Sequence, residues 1–135
     1  MSDVEYFLRP LPFAYLLTIA LEIPVLLALL SRQHPLKRKL AAGVWLTACT
    51  YPIVALALPL MFNIRNEPSN YVTYLIVAEL FAPLAECAIF TLAFHRVGTP
   101  RGERWRDYIA ITLANLASFL IGMMIPLEAW IGLRQ

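Results

Sequence analysis

Three glutamates stand well inside apolar stretches of this sequence, away from the ends of the stretches, where a carboxyl group is costly and needs a partner. They are Glu22, Glu79 and Glu86, and an ionisable side chain at the centre of a bilayer costs about 3 kcal/mol or more. Glu79 and Glu86 are seven residues apart, so in a helix they share a face, about 10 Å apart along the axis. Carboxyl groups so placed can take up protons or a cation, or they can join helices through hydrogen bonds.

Three further polar residues fall at depths similar to those of the glutamates. Thr50, Asn115 and Ser118 occupy the middle parts of other apolar stretches, and Asn115 and Ser118 share one helical stripe. Small and hydroxyl-bearing residues also allow close helix packing, so packing alone would explain these stripes. We predict one polar cluster that either binds protons or a cation or is purely structural, made of Glu22, Thr50, Glu79, Glu86, Asn115 and Ser118.

Prolines within the same stretches supply a second source of polarity. Pro24, Pro52 and Pro83 lack an N–H group, and each leaves the carbonyl four residues earlier without its helical partner. We therefore expect helix kinks at these three positions. The freed carbonyls are expected to lie near the carboxyl groups, which would make the pocket attractive to cations.

The elements that must position these residues are four long apolar segments. Hydrophobic residues make up 60% of the chain, charged residues 15%, and the mean hydropathy is +0.66. A transmembrane helix needs about 20 apolar residues, and four such spans are predicted at about 11–30, 40–62, 71–94 and 108–131. The fold class is therefore predicted as all-α: a polytopic membrane protein with a single four-helix transmembrane domain over residues 1–135. A buried soluble bundle is disfavoured, because the charges collect in the connections.

The connections indicate an orientation in the membrane. Eight of the eleven Lys and Arg residues flank or lie in the connections after the first and third spans. The positive-inside rule places these two connections in the cytoplasm and both termini outside it. We expect a multi-pass protein of the cell inner (cytoplasmic) membrane, in contact with the lipid bilayer.

No catalytic or cofactor-binding motif accompanies the glutamates. The sequence has no H-E-x-x-H, no G-x-S-x-G and no glycine-rich nucleotide loop, so an enzyme is not expected, and any metal or cofactor stays unassigned. His34 and His95 stand at the ends of the first and third spans and are interpreted as interfacial residues. Cys49 and Cys87 are interpreted as small apolar residues. Nucleic acid is not an expected partner, because topology already explains the basic residues.

The polar pattern of the spans resembles that of small uncharacterised four-helix bacterial inner-membrane proteins. The resemblance covers the spans and not the loops, and it implies the helical bundle without implying an activity. It rests on four short motifs: E-x-P with Glu22 and Pro24, T-x-P with Thr50 and Pro52, the pair Glu79 and Glu86, and N-x-x-S with Asn115 and Ser118.

Two functions from different classes fit the sequence. The first is an accessory or assembly subunit of a larger membrane complex, which packs against other membrane subunits through its apolar surface. The alternative is a proton- or cation-coupled carrier or channel, built as a homo-oligomer and using the intramembrane carboxyls. An enzyme acting on a lipid or quinone is a third possibility.

Overall fold

The structure, a computed structural model, describes residues 2–125, and these are almost entirely helical. The helices are α1 Asp3–Leu8, α2 Leu11–Leu29, α3 Leu36–Pro52, α4 Leu58–Met61, α5 Tyr71–Phe94 and α6 Arg101–Met124. The prediction of an all-α chain is confirmed, and four helical stretches are long and apolar enough to cross a membrane. The last part of the fourth predicted span, from 126 to 131, lies outside the described residues.

Prolines and a capping box set where several helices begin. Ser2 and Glu5 form a reciprocal capping box at the start of α1. Pro35 and Pro100 immediately precede α3 and α6. Proline is common at helix starts, because its φ angle suits a helix and the N–H that it lacks would have no partner there. Both helices therefore begin before the apolar spans predicted from hydropathy, and their first turns carry charged side chains.

The three prolines at which kinks are predicted differ in the backbone structure around them. Pro52 is the last residue of α3, and a π-helical segment, Ile53–Ala57, joins it to α4. A π-helical turn is a usual response to a backbone hydrogen bond lost at proline. Pro24 and Pro83 lie within α2 and α5, each of which is assigned as one α-helix throughout.

The four long helical stretches pack as a square. Helix α2 contacts α3 and α6, and α5 contacts the same two helices, so α2 and α5 lie on one diagonal. The connections 30–35 and 95–100 lie at one end, which we call the basic end. The opposite end, which we call the N-terminal end, holds α1, the 62–70 connection and the last turn of α6.

The distribution of side chains is the reverse of that in a soluble protein. Leu84, Leu92 and Met124 are more than two-thirds exposed, whereas Glu22 and Glu86 are both 3% exposed. Charged residues are almost never fully buried in soluble domains, and large apolar surfaces need a non-aqueous neighbour. The exterior of the bundle therefore suits hydrocarbon, and the polar residues collect inside.

Basic side chains cap the C-terminus of α2. Lys39 Nζ donates to the carbonyls of Leu27 and Leu30 at 3.3 and 2.9 Å, and Arg106 Nε donates to the Leu29 carbonyl at 2.9 Å. The last carbonyls of a helix have no partner within the helix and carry partial negative charge. These contacts fasten the basic end to α3 and α6.

Candidate functional site

All six residues of the predicted polar cluster line one cavity between the four helices. Its volume is about 140 Å³, close to the roughly 150 Å³ of a cavity known to hold a benzene-sized molecule. That is enough room for a few water molecules or a partly hydrated monovalent cation. The other lining residues are Thr18, Thr47, Tyr51, Val54, Ala82 and Phe119.

Glu22 joins three helices through its two carboxyl oxygens. Oε2 accepts a hydrogen bond from Thr47 Oγ1 on α3 at 2.7 Å, and Oε1 accepts one from Ser118 Oγ on α6 at 2.8 Å. Glu22 and Thr47 are buried, and Ser118 is half-buried. One carboxyl on α2 thus bonds both of the helices that flank it.

Glu86 makes the matching set of bonds from the opposite corner. Its Oε1 accepts from Thr50 Oγ1 on α3, and its Oε2 accepts from Asn115 Nδ2 on α6, both at 2.7 Å. The second Asn115 hydrogen is donated to the Ile111 carbonyl at 3.0 Å. Glu22 on α2 and Glu86 on α5 therefore each accept one hydrogen bond from α3 and one from α6.

The hydroxyl donors have a second acceptor within reach. Thr47, Thr50 and Ser118 also lie 2.8, 3.1 and 2.9 Å from the carbonyls of Gly43, Leu46 and Asn115. A hydroxyl carries one hydrogen and can accept as well as donate. It can therefore donate to an ionised carboxylate, or it can donate to the carbonyl and accept a hydrogen from a protonated carboxyl.

Glu79 lines the cavity without taking part in this network. It is half-buried, and within residues 2–125 no hydrogen bond or ion pair to its carboxyl is present. Its neighbour along the same helix face, Glu86, has a donor on each oxygen. Glu79 is thus the carboxyl that is free to meet water, an ion or another chain.

The cavity contains oxygen ligands and acids but no base. Among the described residues that line it, none is Lys, Arg or His. Such acids must either be protonated or be balanced by a cation from outside the chain. Oxygen-rich surroundings suit protons and hard cations better than transition metals.

The cavity adjoins a wider groove towards the N-terminal end of the bundle. This groove has a volume of about 330 Å³ and shares lining residues with the cavity, among them Thr18, Tyr51 and Ser118. It extends past Tyr71 and Tyr74 at the start of α5 and Gly122 near the end of α6. In the described part of the chain, the cavity is therefore reached most directly from this end.

An apolar layer closes the cavity on the other side. Leu26, Leu46, Phe90 and Ile111 come one from each corner of the square, and each is at most 2% exposed. Each lies about one helical turn from a cavity residue of its own helix. In the part of the chain that the structure describes, these four side chains separate the cavity from the basic end.

A second polar cluster, which the sequence analysis missed, lies beyond the layer at the basic end. Asp107 Oδ2 is 2.8 Å from His34 Nε2 and 2.9 Å from His95 Nε2, and all three side chains are at most 3% exposed. Both histidines lie at the ends of the spans, as predicted, but each is a buried partner of a carboxylate rather than a lone residue. The available signal was that both basic connections must meet at one end of the bundle, with Asp107 next to them.

Two further contacts join the helices near the cavity. Tyr15 donates to the Val44 carbonyl at 3.0 Å. Thr47, which is not among the six predicted cluster residues, is a direct partner of Glu22. Cys49 and Cys87 are both free and half-buried.

Comparison with known proteins supplies no relative from which a role can be transferred. No protein-family model, no curated protein and no solved structure matches this chain.

Proposed function

We propose that this chain is a bacterial inner-membrane protein that binds and releases protons or a monovalent cation in its acidic cavity, as a homo-oligomeric carrier or channel. The observation that carries the proposal is a cavity lined, among residues 2–125, by three glutamates and no basic residue, inside four helices suited to a membrane. From sequence alone an accessory subunit was the first expectation. The cavity now favours the alternative.

The balance of charge supports a mobile positive partner. An unpaired carboxylate inside a membrane is unstable by several kcal/mol, and two in one cavity repel each other. A fixed Lys or Arg would neutralise them permanently and would be the simpler solution for a purely structural cluster. Protons or a cation neutralise them reversibly, which is what a coupled carrier requires.

The hydrogen-bond network suits repeated protonation. Thr47, Thr50 and Ser118 each have a carboxyl oxygen and a backbone carbonyl within reach. Rotation of a hydroxyl hydrogen therefore satisfies the network in both protonation states of the acids. Neither state leaves a buried donor without an acceptor, so the change of state has a small structural cost.

Access from one side only is the arrangement expected of one state of an alternating carrier. The groove leads to the cavity from the N-terminal end, and the apolar layer closes the basic end. If the basic connections are cytoplasmic, this state faces outward. The inward-facing state would then require Leu26, Leu46, Phe90 and Ile111 to separate.

The proposal is tested by flux into liposomes that contain the purified chain and a pH-sensitive or cation-sensitive dye. We expect uptake by the wild type and a loss of at least tenfold in Glu22→Gln and in Glu86→Gln, which keep the shape of the side chain. Glu67→Gln, an exposed acid in the 62–70 connection, is the matched control and should transport normally. Equal flux in the wild type, Glu22→Gln and Glu86→Gln would refute the carrier.

Glu79 supports a second candidate function, that of an accessory or assembly subunit of a larger membrane complex. A half-buried carboxyl without a partner among residues 2–125 would be satisfied by a donor from a neighbouring membrane chain. In that case Glu79→Gln or Glu79→Leu would reduce copurification of a partner from native membranes, while Glu86→Gln would not. Purification of the wild type as a homogeneous oligomer of itself would count against a subunit of a mixed complex.

A further inference from the structure

The cluster at the basic end brings together three side chains of the types that bind transition metals. His34 comes from the connection after α2, His95 from the residue after α5, and Asp107 from the second turn of α6. One ligand atom of each lies within 4.8 Å of the other two. Three separate elements thus place two imidazoles and one carboxylate around one point.

The distances are close to those of a coordination sphere. A tetrahedral ion about 2.0–2.1 Å from each ligand holds its ligands about 3.3–3.4 Å apart. The two imidazole Nε2 atoms are 2.8 and 2.9 Å from Asp107 Oδ2. These two distances would lengthen by about 0.5 Å on binding of the ion, and the two Nε2 atoms lie within 4.8 Å of each other.

The surroundings of the cluster hold its members in place. The Ser31 backbone N–H donates to the other carboxylate oxygen of Asp107, Oδ1, at 2.8 Å. Phe90 lies edge-on to both imidazole rings, with centroids 5.1 and 5.4 Å away. A carboxylate held by a hydrogen bond is an outer-shell feature of metal sites, and the packing against Phe90 limits movement of the two rings.

Among residues 2–125, four buried side-chain atoms at the basic end have no hydrogen-bond partner, and two of them belong to the cluster or to its neighbour Ser31. Ser31 Oγ and His95 Nδ1 have no hydrogen-bond partner within residues 2–125. A cluster built only to join the helices would be expected to satisfy all of its atoms. A bound ion keeps an open coordination position, and water held there would be a partner for nearby polar atoms.

We propose that His34, His95 and Asp107 form a binding site for a divalent first-row transition metal ion, with Zn²⁺ as the simplest occupant. Imidazole and carboxylate ligands suit Zn²⁺, Fe²⁺ and Co²⁺ and do not suit alkali cations. The site is about 12 Å from the acidic cavity along α6, from Asp107 to Asn115. It is therefore separate from the proposed proton or cation site.

Arg38 provides a test of the ligand assignment. Its Nη1 lies 3.4 Å from His34 Nδ1, which suits the tautomer with hydrogen on Nε2. Coordination through Nε2 moves that hydrogen to Nδ1, so that a donor at Arg38 becomes unfavourable. Arg38→Gln removes this donor and its positive charge, and it should bind the metal about threefold to tenfold more tightly than the wild type.

The experiment uses the full chain in detergent, prepared without a histidine tag, stripped with chelator and titrated with Zn²⁺ by calorimetry. Titration with Co²⁺ reports ligand geometry through visible absorption. We expect one ion per chain and at least about 100-fold weaker binding in His95→Gln and Asp107→Asn, since outer-shell changes alone cost about 10–100-fold. Arg32→Gln, an exposed neighbour of equal charge, is the control for Arg38→Gln.

Several results would overturn the metal site. Wild-type binding no tighter than about 1 mM, or unchanged binding in His95→Gln and Asp107→Asn, would show that the cluster only joins the helices. Weaker binding in Arg38→Gln than in Arg32→Gln would contradict coordination through His34 Nε2. Glu22→Gln should bind the metal as the wild type does, so failure of the carrier and failure of the metal site are distinguishable.

Discussion

Substitution of Gly43 tests whether close approach of α2 and α3 positions the acidic cavity. A Cβ atom at this position would lie 2.7 Å from Ile23 Cγ1, about 0.8 Å closer than the roughly 3.5 Å of ordinary carbon contacts. Cγ1 is near the backbone of Ile23, so it moves only if the side chain changes rotamer or the helices separate. Overpacking of this kind costs about 1–3 kcal/mol.

Gly122→Ala is the matched control, because a Cβ at Gly122 meets nothing within 4 Å. Both substitutions replace glycine by alanine within a helix, and alanine has the higher helix propensity. The resulting gain in stability is common to both variants and cancels when they are compared. We expect the free energy of unfolding of Gly43→Ala to be about 1–3 kcal/mol lower than that of Gly122→Ala. Reversible unfolding in mixed micelles with increasing SDS, followed by circular dichroism or tryptophan fluorescence, measures the difference.

Gly43→Ala should also disturb the hydrogen bonds of the cavity. Gly43 precedes Thr47 by one turn, and Thr47 bonds Glu22 at 2.7 Å. Separation of the helices by about 0.8 Å would stretch this contact to about 3.5 Å, the limit for a hydrogen bond. Flux should therefore fall together with stability. Equal stability of Gly43→Ala and Gly122→Ala would refute the close approach on which this reasoning depends.

Three further substitutions test the layers of the bundle. Thr50→Val should lower the unfolding free energy by about 0.6–1.7 kcal/mol, as for other hydrogen bonds between membrane helices, and an unchanged value would mean that Thr50 does not bond Glu86. Phe90→Ala should cost about 3–5 kcal/mol and increase passive proton leak through liposomes, whereas Leu92→Ala, at an 86% exposed position, should change neither. Asp107→Ala should cost at least about 2 kcal/mol in the same unfolding assay, because two buried imidazoles lose their acceptor; a neutral effect would contradict the buried cluster.

Hydropathy predicts the four apolar helical stretches better than it predicts where the helices begin. The predicted third span, 71–94, has the same limits as α5, whereas α3 begins at Leu36 and α6 at Arg101, before the predicted spans. Backbone hydrogen bonding continues through charged residues that hydropathy excludes. Pro35 and Pro100 fix those helix starts, and proline is the sequence signal that would have placed them.

Helical periodicity predicts which residues share one face of a helix, but it does not predict which faces of neighbouring helices pack together. The spacing of Glu79 and Glu86 places both on one side of α5, and both line the cavity. Their different environments depend on the rotation of α5 about its own axis relative to α3 and α6. A pattern within one helix does not predict that rotation. For the same reason, Thr47 rather than Thr50 bonds Glu22. The histidine cluster was missed because each member, considered alone, is a common residue at the end of a membrane helix.

The two buried carboxyls differ in where a proton can reside, and this difference gives the cavity an order. Both oxygens of Glu22 face hydroxyl groups, which accept a hydrogen as readily as they donate one. One oxygen of Glu86 faces the amide of Asn115, which can only donate there, so a proton on Glu86 must occupy the oxygen that faces Thr50. In the proposed carrier, proton exchange at Glu86 would therefore depend on rotation of one hydroxyl, while Glu22 would exchange through Thr47 or Ser118. Since Ser118 also lines the groove to the N-terminal end, Glu22 is the carboxyl expected to load first from that side.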